Sequence, residues 1–447
     1  MAPDSGGAAV AVTRHDRAWR FLRRRARRPR WRSIRAGLAT ACALVGIHAA
    51  PALAGDVDTA LLYYGEASRV TAIESILNLK QDFGAGRTGN FKLVLDALTG
   101  ASPTGATPAR QAQTFSGPSG RSGYTVAPGA NPVDSAFKDQ RFELSADGAM
   151  PLDRVTTGGL GVRFSGEKDY TSVGMNTSLA RDFNQRNTTL SASLSFDHDT
   201  SSPKGGPPLP FTILLPPAPH QEGEGDGGGG GGLGKNVLGV AFGATQVLDR
   251  STLLQLSYTI GRVAGYQTDP YKLLSVLDQV SAEPLHYLHE SRPDARTRHV
   301  YYAQLKRDLG PFAIDGSYRY AQDTWGIHSR TWDFHWRWDT SEGNFWQPHV
   351  RFYRQTAADF YRRFLIDGAA LPAFASADSR LGAFNAWTFG LKRGLTLANG
   401  HLLTMRAEYY RQTGEHHPAQ AYGDLTGLDL FPDMSAVIVQ VGYSFGI

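Results

Sequence analysis

Stretches of about ten residues in which apolar and polar side chains alternate one for one recur from Val57 to the C-terminus, separated by turn-forming clusters. Neighbouring residues on a strand point to opposite faces, so each stretch builds one oily and one polar face. Leu190, Ala192, Leu194 and Phe196 alternate with Thr189, Ser191, Ser193 and Ser195. Leu254, Leu256, Tyr258 and Ile260 alternate with Gln255, Ser257 and Thr259. Trp332, Phe334, Trp336 and Trp338 alternate with Asp333, His335 and Arg337. Beyond the N-terminal region no run reaches the roughly 18 apolar residues that a spanning helix needs, which argues against a helical membrane protein. An aromatic content of 11% argues equally against disorder.

A soluble sandwich shows the same alternation strand by strand, and the order of the connections separates the two folds. Candidate strands lie near 57–65, 69–82, 90–99, 138–146, 156–166, 169–182, 187–197 and 237–248. They continue near 252–263, 296–308, 312–322, 329–339, 345–354, 383–393, 401–412 and 435–447. The connections at Gly84 to Gly89, Asp147 to Asp153, Phe183 to Arg186, Asp249 to Arg250, Leu309 to Pro311, Thr340 to Gly343 and Gly394 to Gly400 are short. The long ones, 100–137, 198–236, 264–295, 355–382 and 413–434, all fall at the other end. The expected fold is an all-β transmembrane antiparallel β-barrel of about 16 strands, with short periplasmic turns and long extracellular loops. Val437, Val439, Val441, Tyr443, Phe445 and Ile447 carry an apolar face to the last residue. This strand is predicted to close the barrel by pairing antiparallel with Val57 to Gly65, because a barrel has no free edge.

The first 54 residues read as a signal peptide, with a basic stretch from Arg23 to Arg35, an apolar stretch from Ala36 to Ala50, and cleavage expected after Ala54. Residues 55–447 are then one barrel domain in the cell outer membrane, with lipid and the barrel-assembly machinery as expected partners. Of 46 basic and 41 acidic residues, eleven arginines and two aspartates precede residue 55, leaving 35 against 39 and a net charge of −4. A mildly acidic mature chain removes the main argument for a nucleic-acid partner, which needs a basic surface in the folded domain. The single cysteine, Cys42, falls in the leader, so thiolate chemistry is not expected.

The polar faces supply the candidate functional residues. Asp315, Arg319, Asp333, His335, Arg337, Arg351, Arg406 and Glu408 are expected to line the lumen of a porin-like channel or transport protein. Charges of both signs facing each other would set selectivity. The alternative is a non-enzymatic sleeve or scaffold for a periplasmic or surface partner such as an electron-transfer component, with the 100–137 segment as a plug. No Cys-x-x-Cys-His site is present, and no cofactor is expected.

An enzyme is not expected either. Gly442, Ser444 and Gly446 match a nucleophile pattern, but Ile447 ends the chain without the helix that must follow. Gly227 to Gly232, within Pro203 to Gly234, reads as a flexible extracellular loop. His286, His289 and Glu290, like His416 and His417, read as surface groups rather than a metal set. The tryptophans and tyrosines from 318 to 361 read as membrane-interface girdles rather than a stacking platform.

Four stretches carry a family resemblance: Gly265-Tyr266-Gln267-Thr268-Asp269-Pro270-Tyr271-Lys272; Arg292-Pro293-Asp294-Ala295-Arg296-Thr297-Arg298; Tyr318-Arg319-Tyr320 with Asp323-Thr324-Trp325-Gly326; and Arg351-Phe352-Tyr353-Arg354-Gln355 with Ala358-Asp359-Phe360-Tyr361. The chain resembles, on these, the bacterial domain of unknown function 3570. The resemblance spans nearly the whole of the expected mature chain and implies an outer-membrane barrel without implying an activity.

Overall fold

The computed structural model describes residues 55–67, 69–116, 123–203, 206–215, 232–341 and 343–447. The expected leader, and much of the expected flexible loop between Pro203 and Gly234, lie outside the described residues. In the first half the strands are β1 (Gly55–Glu66), β2 (Thr71–Asp82), β3 (Thr88–Pro103), β4 (Gln113–Ser116), β5 (Gly123–Val126), β6 (Val133–Pro151), β7 (Thr156–Gly166), β8 (Tyr170–Phe183), β9 (Thr188–Ser201), β10 (Leu233–Asp249) and β11 (Thr252–Gly265). The second half holds β12 (Leu273–Leu277), β13 (Pro284–His289), β14 (Ala295–Asp308), β15 (Phe312–Asp323), β16 (His328–Ser341), β17 (Asn344–Gln355), β18 (Phe364–Ile366), β19 (Phe384–Thr396), β20 (Leu402–Gly414) and β21 (Met434–Gly446).

All of these except β4, β5, β12, β13 and β18 close a 16-strand antiparallel barrel, each strand pairing with the next one along the chain. The seam joins β21 to β1, from Asp56 opposite Gly446 to Glu66 opposite Ala436. Closure leaves no edge strand, and in a hydrocarbon layer each unpaired backbone group would cost several kcal/mol.

Each candidate strand corresponds to one barrel strand, but several run further at the long-loop end. β3 continues to Pro103, β6 starts at Val133 and β10 at Leu233. β9 shows why: its outward positions pass from Leu190, Leu194 and Phe196 to His198 and Thr200 while the backbone stays paired with β10. Period-two alternation marks the apolar belt, and the ladder extends beyond it.

The polarity of the barrel is the reverse of a soluble sandwich. Leu256 and Phe334 on the outer face are 46% and 53% exposed, whereas Gln255 and Thr259, on the opposite face of β11, are 7% and 4% exposed. Tyr318, Trp332, Phe352 and Trp387 follow one another across β15, β16, β17 and β19 with ring centroids 5.3, 5.6 and 4.6 Å apart. A second aromatic band, with Phe312 6.1 Å from Trp338 and Trp346 opposite Trp338, lies toward the short turns. Along β15, Phe312 and Tyr318 are separated by ~20 Å at ~3.4 Å per residue. Two such girdles flanking an apolar belt suit the two interfaces of a bilayer.

The segments expected as plain loops at 100–137, 264–295, 355–382 and 413–434 build a second small core at the long-loop end. β4 and β5 form a hairpin, and β12 pairs antiparallel with β13 and parallel with β18. Phe115 is fully buried against Tyr124 and Tyr287, and Leu277 packs with Leu425 and Leu430. The 100–137 segment, expected as a plug in the sleeve reading, is bound to the other long loops: Thr107 N–H donates to Ser275 Oγ at 2.9 Å, and Gln113 Nε2 donates to Tyr287 at 2.9 Å. We call this assembly the cap. Its strands are three to six residues long, too short for alternation to announce them.

Candidate functional site in the barrel lumen

The register of β14 to β20 decides which side chains share the inner face. His335 on β16 is opposite His349 on β17, which is opposite Gly390 on β19, which is opposite Glu408 on β20. Gly390 has a specific use in this row. A Cβ there would lie 1.9 Å from Glu408 Cγ, so only glycine lets the carboxylate lie across β19 and reach the next strand. Glu408 accepts from His349 Nδ1, with its two oxygens at 2.9 and 3.0 Å. The His349 and His335 rings stack at 4.1 Å with 8° between planes, and both Nε2 atoms face Asp333 Oδ1, at 3.3 and 3.0 Å.

All eight candidate residues fall on the inward register, and the structure divides them. Asp333, His335, Arg351, Arg406 and Glu408 meet around His349: Arg351 Nε is 3.8 Å from Asp333, and Arg406 is 4.0 Å from Glu408. Asp315 and Arg337 lie nearer the short turns, Asp315 paired with Lys306 at 2.9 Å and Arg337 with Asp339 at 2.7 Å. Arg319 stands apart, opposite Tyr302 and Thr331. A cavity of about 500 Å³ opens at the short-turn end, lined by Lys306, Asp315, His335, Arg337, Gln347 and Lys392 among others. His349 was not among the candidates, although it sits two residues before Arg351 and shares its face.

The opposite wall uses the same device. Arg163 on β7 pairs with Asp197 on β9 at 2.6 Å across Gly174 of β8, where a Cβ would lie 2.0 Å from the carboxylate. Arg141 pairs with Asp96 at 2.5 Å beside Glu143. Ion pairs of both signs therefore line much of the interior.

A second charge cluster lies in the cap and corrects the surface reading of Glu290. Glu290 is fully buried; it accepts from Asp269 N at 2.7 Å and from Ser376 Oγ, and meets Arg292 at 2.6 Å. Arg292 also reaches Asp378 at 2.9 Å, and Arg380 joins Asp378 to Asp269. Lys272 donates to the Pro103 carbonyl. Burial alone would raise the Asp378 carboxyl, but Arg380, Lys272 and Arg292 hold it well below the usual carboxylate range. Burial pushes Glu290 up, against the pull of Arg292, and pushes the Lys272 ammonium down. His286 and His289 are half-buried and His417 exposed, while His416 bonds Asp429 at 2.8 Å.

Among solved structures the chain is similar to Pseudomonas aeruginosa OccK2 (OpdF) in complex with glucuronate, at 8% identity and TM-score 0.39 over 88% of this chain and 98% of that one. It is similar to a bacterial polysaccharide outer membrane secretin at 9% identity and TM-score 0.42, over 88% and 97%. It is also similar to the outer membrane protein opdK of Pseudomonas aeruginosa at 10% identity and TM-score 0.35, over 89% and 99%. Likeness this remote speaks for no solute. No curated protein matches the chain in sequence. Residues 36–445 match one family along nearly the whole chain, and the protein belongs to that family, described as protein of unknown function (DUF3570).

Proposed function

We propose that this protein is an outer-membrane channel, with the cap at the cell surface and the short turns in the periplasm, passing small solutes with a preference for anions. The observation that carries the reading is the reversed polarity of the barrel: an apolar, aromatic-banded outside around an inner face of ionisable groups. Barrels of about this strand number are wide enough for an aqueous path. The preference follows from the short-turn mouth, where Arg250, Lys306, Arg337 and Lys392 outnumber Asp249, Asp308 and Asp315. An excess of one sign at a constriction favours the opposite ion.

Reconstitution in a planar bilayer tests it. Discrete conductance steps are expected, with an anion-selective reversal potential in a salt gradient that moves toward cations in an Arg337→Glu, Lys392→Glu double variant. Absence of steps above the lipid background overturns the channel, and a reversal potential unmoved by the double variant overturns the assigned mouth.

The folded cap favours a second reading, a sleeve or scaffold whose lumen receives a periplasmic partner. A partner recovered in one-to-one ratio from periplasm, together with an electrically silent barrel, would support it.

A further inference from the structure

We infer that Asp333, His335 and His349 form a binding site for one divalent transition-metal ion of the zinc class, inside the barrel wall and reached from the short-turn cavity. The inference goes beyond the channel reading and does not depend on it, since binding is measured whether or not the barrel conducts.

The geometry has three parts. Asp333 and His335 stand two apart on β16 and so share one face, and His349 faces His335 directly from β17. This places two imidazole nitrogens and a carboxylate oxygen within 4.8 Å of one another. Ligands held ~2.0 to 2.2 Å from a tetrahedral ion lie about 3.3 Å apart, and the two oxygen–nitrogen separations here are 3.0 and 3.3 Å. Parallel rings do not aim at a single point, so capture tilts one of them. His335 is the ring that lines the cavity, and it is the one on the open side.

The second part is the orientation of His349. A carboxylate only accepts, so the contact with Glu408 places a proton on His349 Nδ1, and an ion bound between His349 and Asp333 takes the place of the proton that Nε2 directs at Asp333. A carboxylate behind a ligating histidine is the arrangement that fixes tautomer and ring angle at metal sites. Gly390 makes that reach possible, which makes Glu408 a positioning residue.

The third part is access and selectivity. Three protein ligands leave a fourth position open, as in metal sites that exchange a ligand, and His335 lines the cavity. Two imidazoles with one carboxylate suit zinc or copper better than magnesium or calcium, which prefer all-oxygen shells. The basic groups on the route are partly offset, Lys306 by Asp315 and Arg337 by Asp339.

The test uses the refolded full barrel, stripped with chelator and titrated with zinc by calorimetry, with metal content per chain measured after dialysis. One zinc per chain is expected, not displaced by excess magnesium. His335→Ala should weaken binding by about tenfold or more, and Glu408→Gln by about 10- to 100-fold. The exposed-loop variant His416→Ala should bind as the unchanged protein. Closed-barrel gel mobility identifies folded variants, and Asp333→Asn stands in for any that fails. No saturable site in the unchanged protein, wild-type affinity in His335→Ala and Asp333→Asn, or loss of binding in His416→Ala would each overturn the proposal.

Discussion

Arg292 in the cap and His349 in the barrel wall are both deeply buried among carboxylates, with side chains 10% and 8% exposed. Their surroundings differ in one respect that sorts structure from function. In the cap, three acids, Asp269, Glu290 and Asp378, face three bases, Lys272, Arg292 and Arg380, so charge balances within a closed network. That network ties Asp269 and Glu290 to Asp378 and Arg380, which belong to a different long loop. In the wall, the carboxylate of Asp333 receives two imidazoles, one of which, His335, lines a cavity of about 500 Å³. A charge-balanced cluster holds chain segments together, while a cluster beside a cavity has a place for a ligand.

The largest expected effect is on the cap. Removing Arg292 leaves Glu290 and Asp378 each short of a buried partner, and breaking such a network by one member costs about 3 to 5 kcal/mol. In Arg292→Ala the paired amides of Ser291 and Ala375 should exchange with solvent far faster than in the parent, while the barrel keeps its closed-form gel mobility. Unchanged exchange would mean that the apolar clusters alone hold the cap, and the comparison would lose its first half.

A smaller effect should follow from pH. The Asp378 carboxyl is depressed in the folded cap, so its contribution is fully present above its unfolded value of about 3.9 and is lost as pH falls toward the folded value. Cap amides should stay protected at pH 5 and lose protection progressively only below about pH 4. Loss of protection already between pH 7 and 5 would show that a different group governs the cap.

Sequence pattern reached the barrel and five members of the wall cluster, and missed His349 and the cap network. The sixteen ladder strands were legible because an apolar outer face and a polar inner face impose period two along β9, β11 and β16. The same rule could have found His349, since it shares parity with Arg351. Nothing local announces Gly390 as the gap beneath Glu408, because the reason for that glycine lies on a neighbouring strand. The cap network was equally hidden. Arg292 and Asp378 are 86 residues apart, and short loop strands carry no period. Asp269, Lys272 and Arg292 do stand in the stretches that carried the family resemblance, but as residue types they read as solvated loop charges until the fold brings their partners in.

Thiol labelling along β16 tests the central claim, that one strand face meets water in a lumen and the other meets lipid. The only native cysteine, Cys42, precedes residue 55, so single cysteines placed in turn from Thr331 to Trp338 report alone in residues 55–447. In intact outer-membrane preparations a charged, lipid-insoluble reagent should label positions 331, 333, 335 and 337 and spare 332, 334, 336 and 338. Labelling that ignores parity, or that favours the even positions, would contradict a water-filled barrel with this facing.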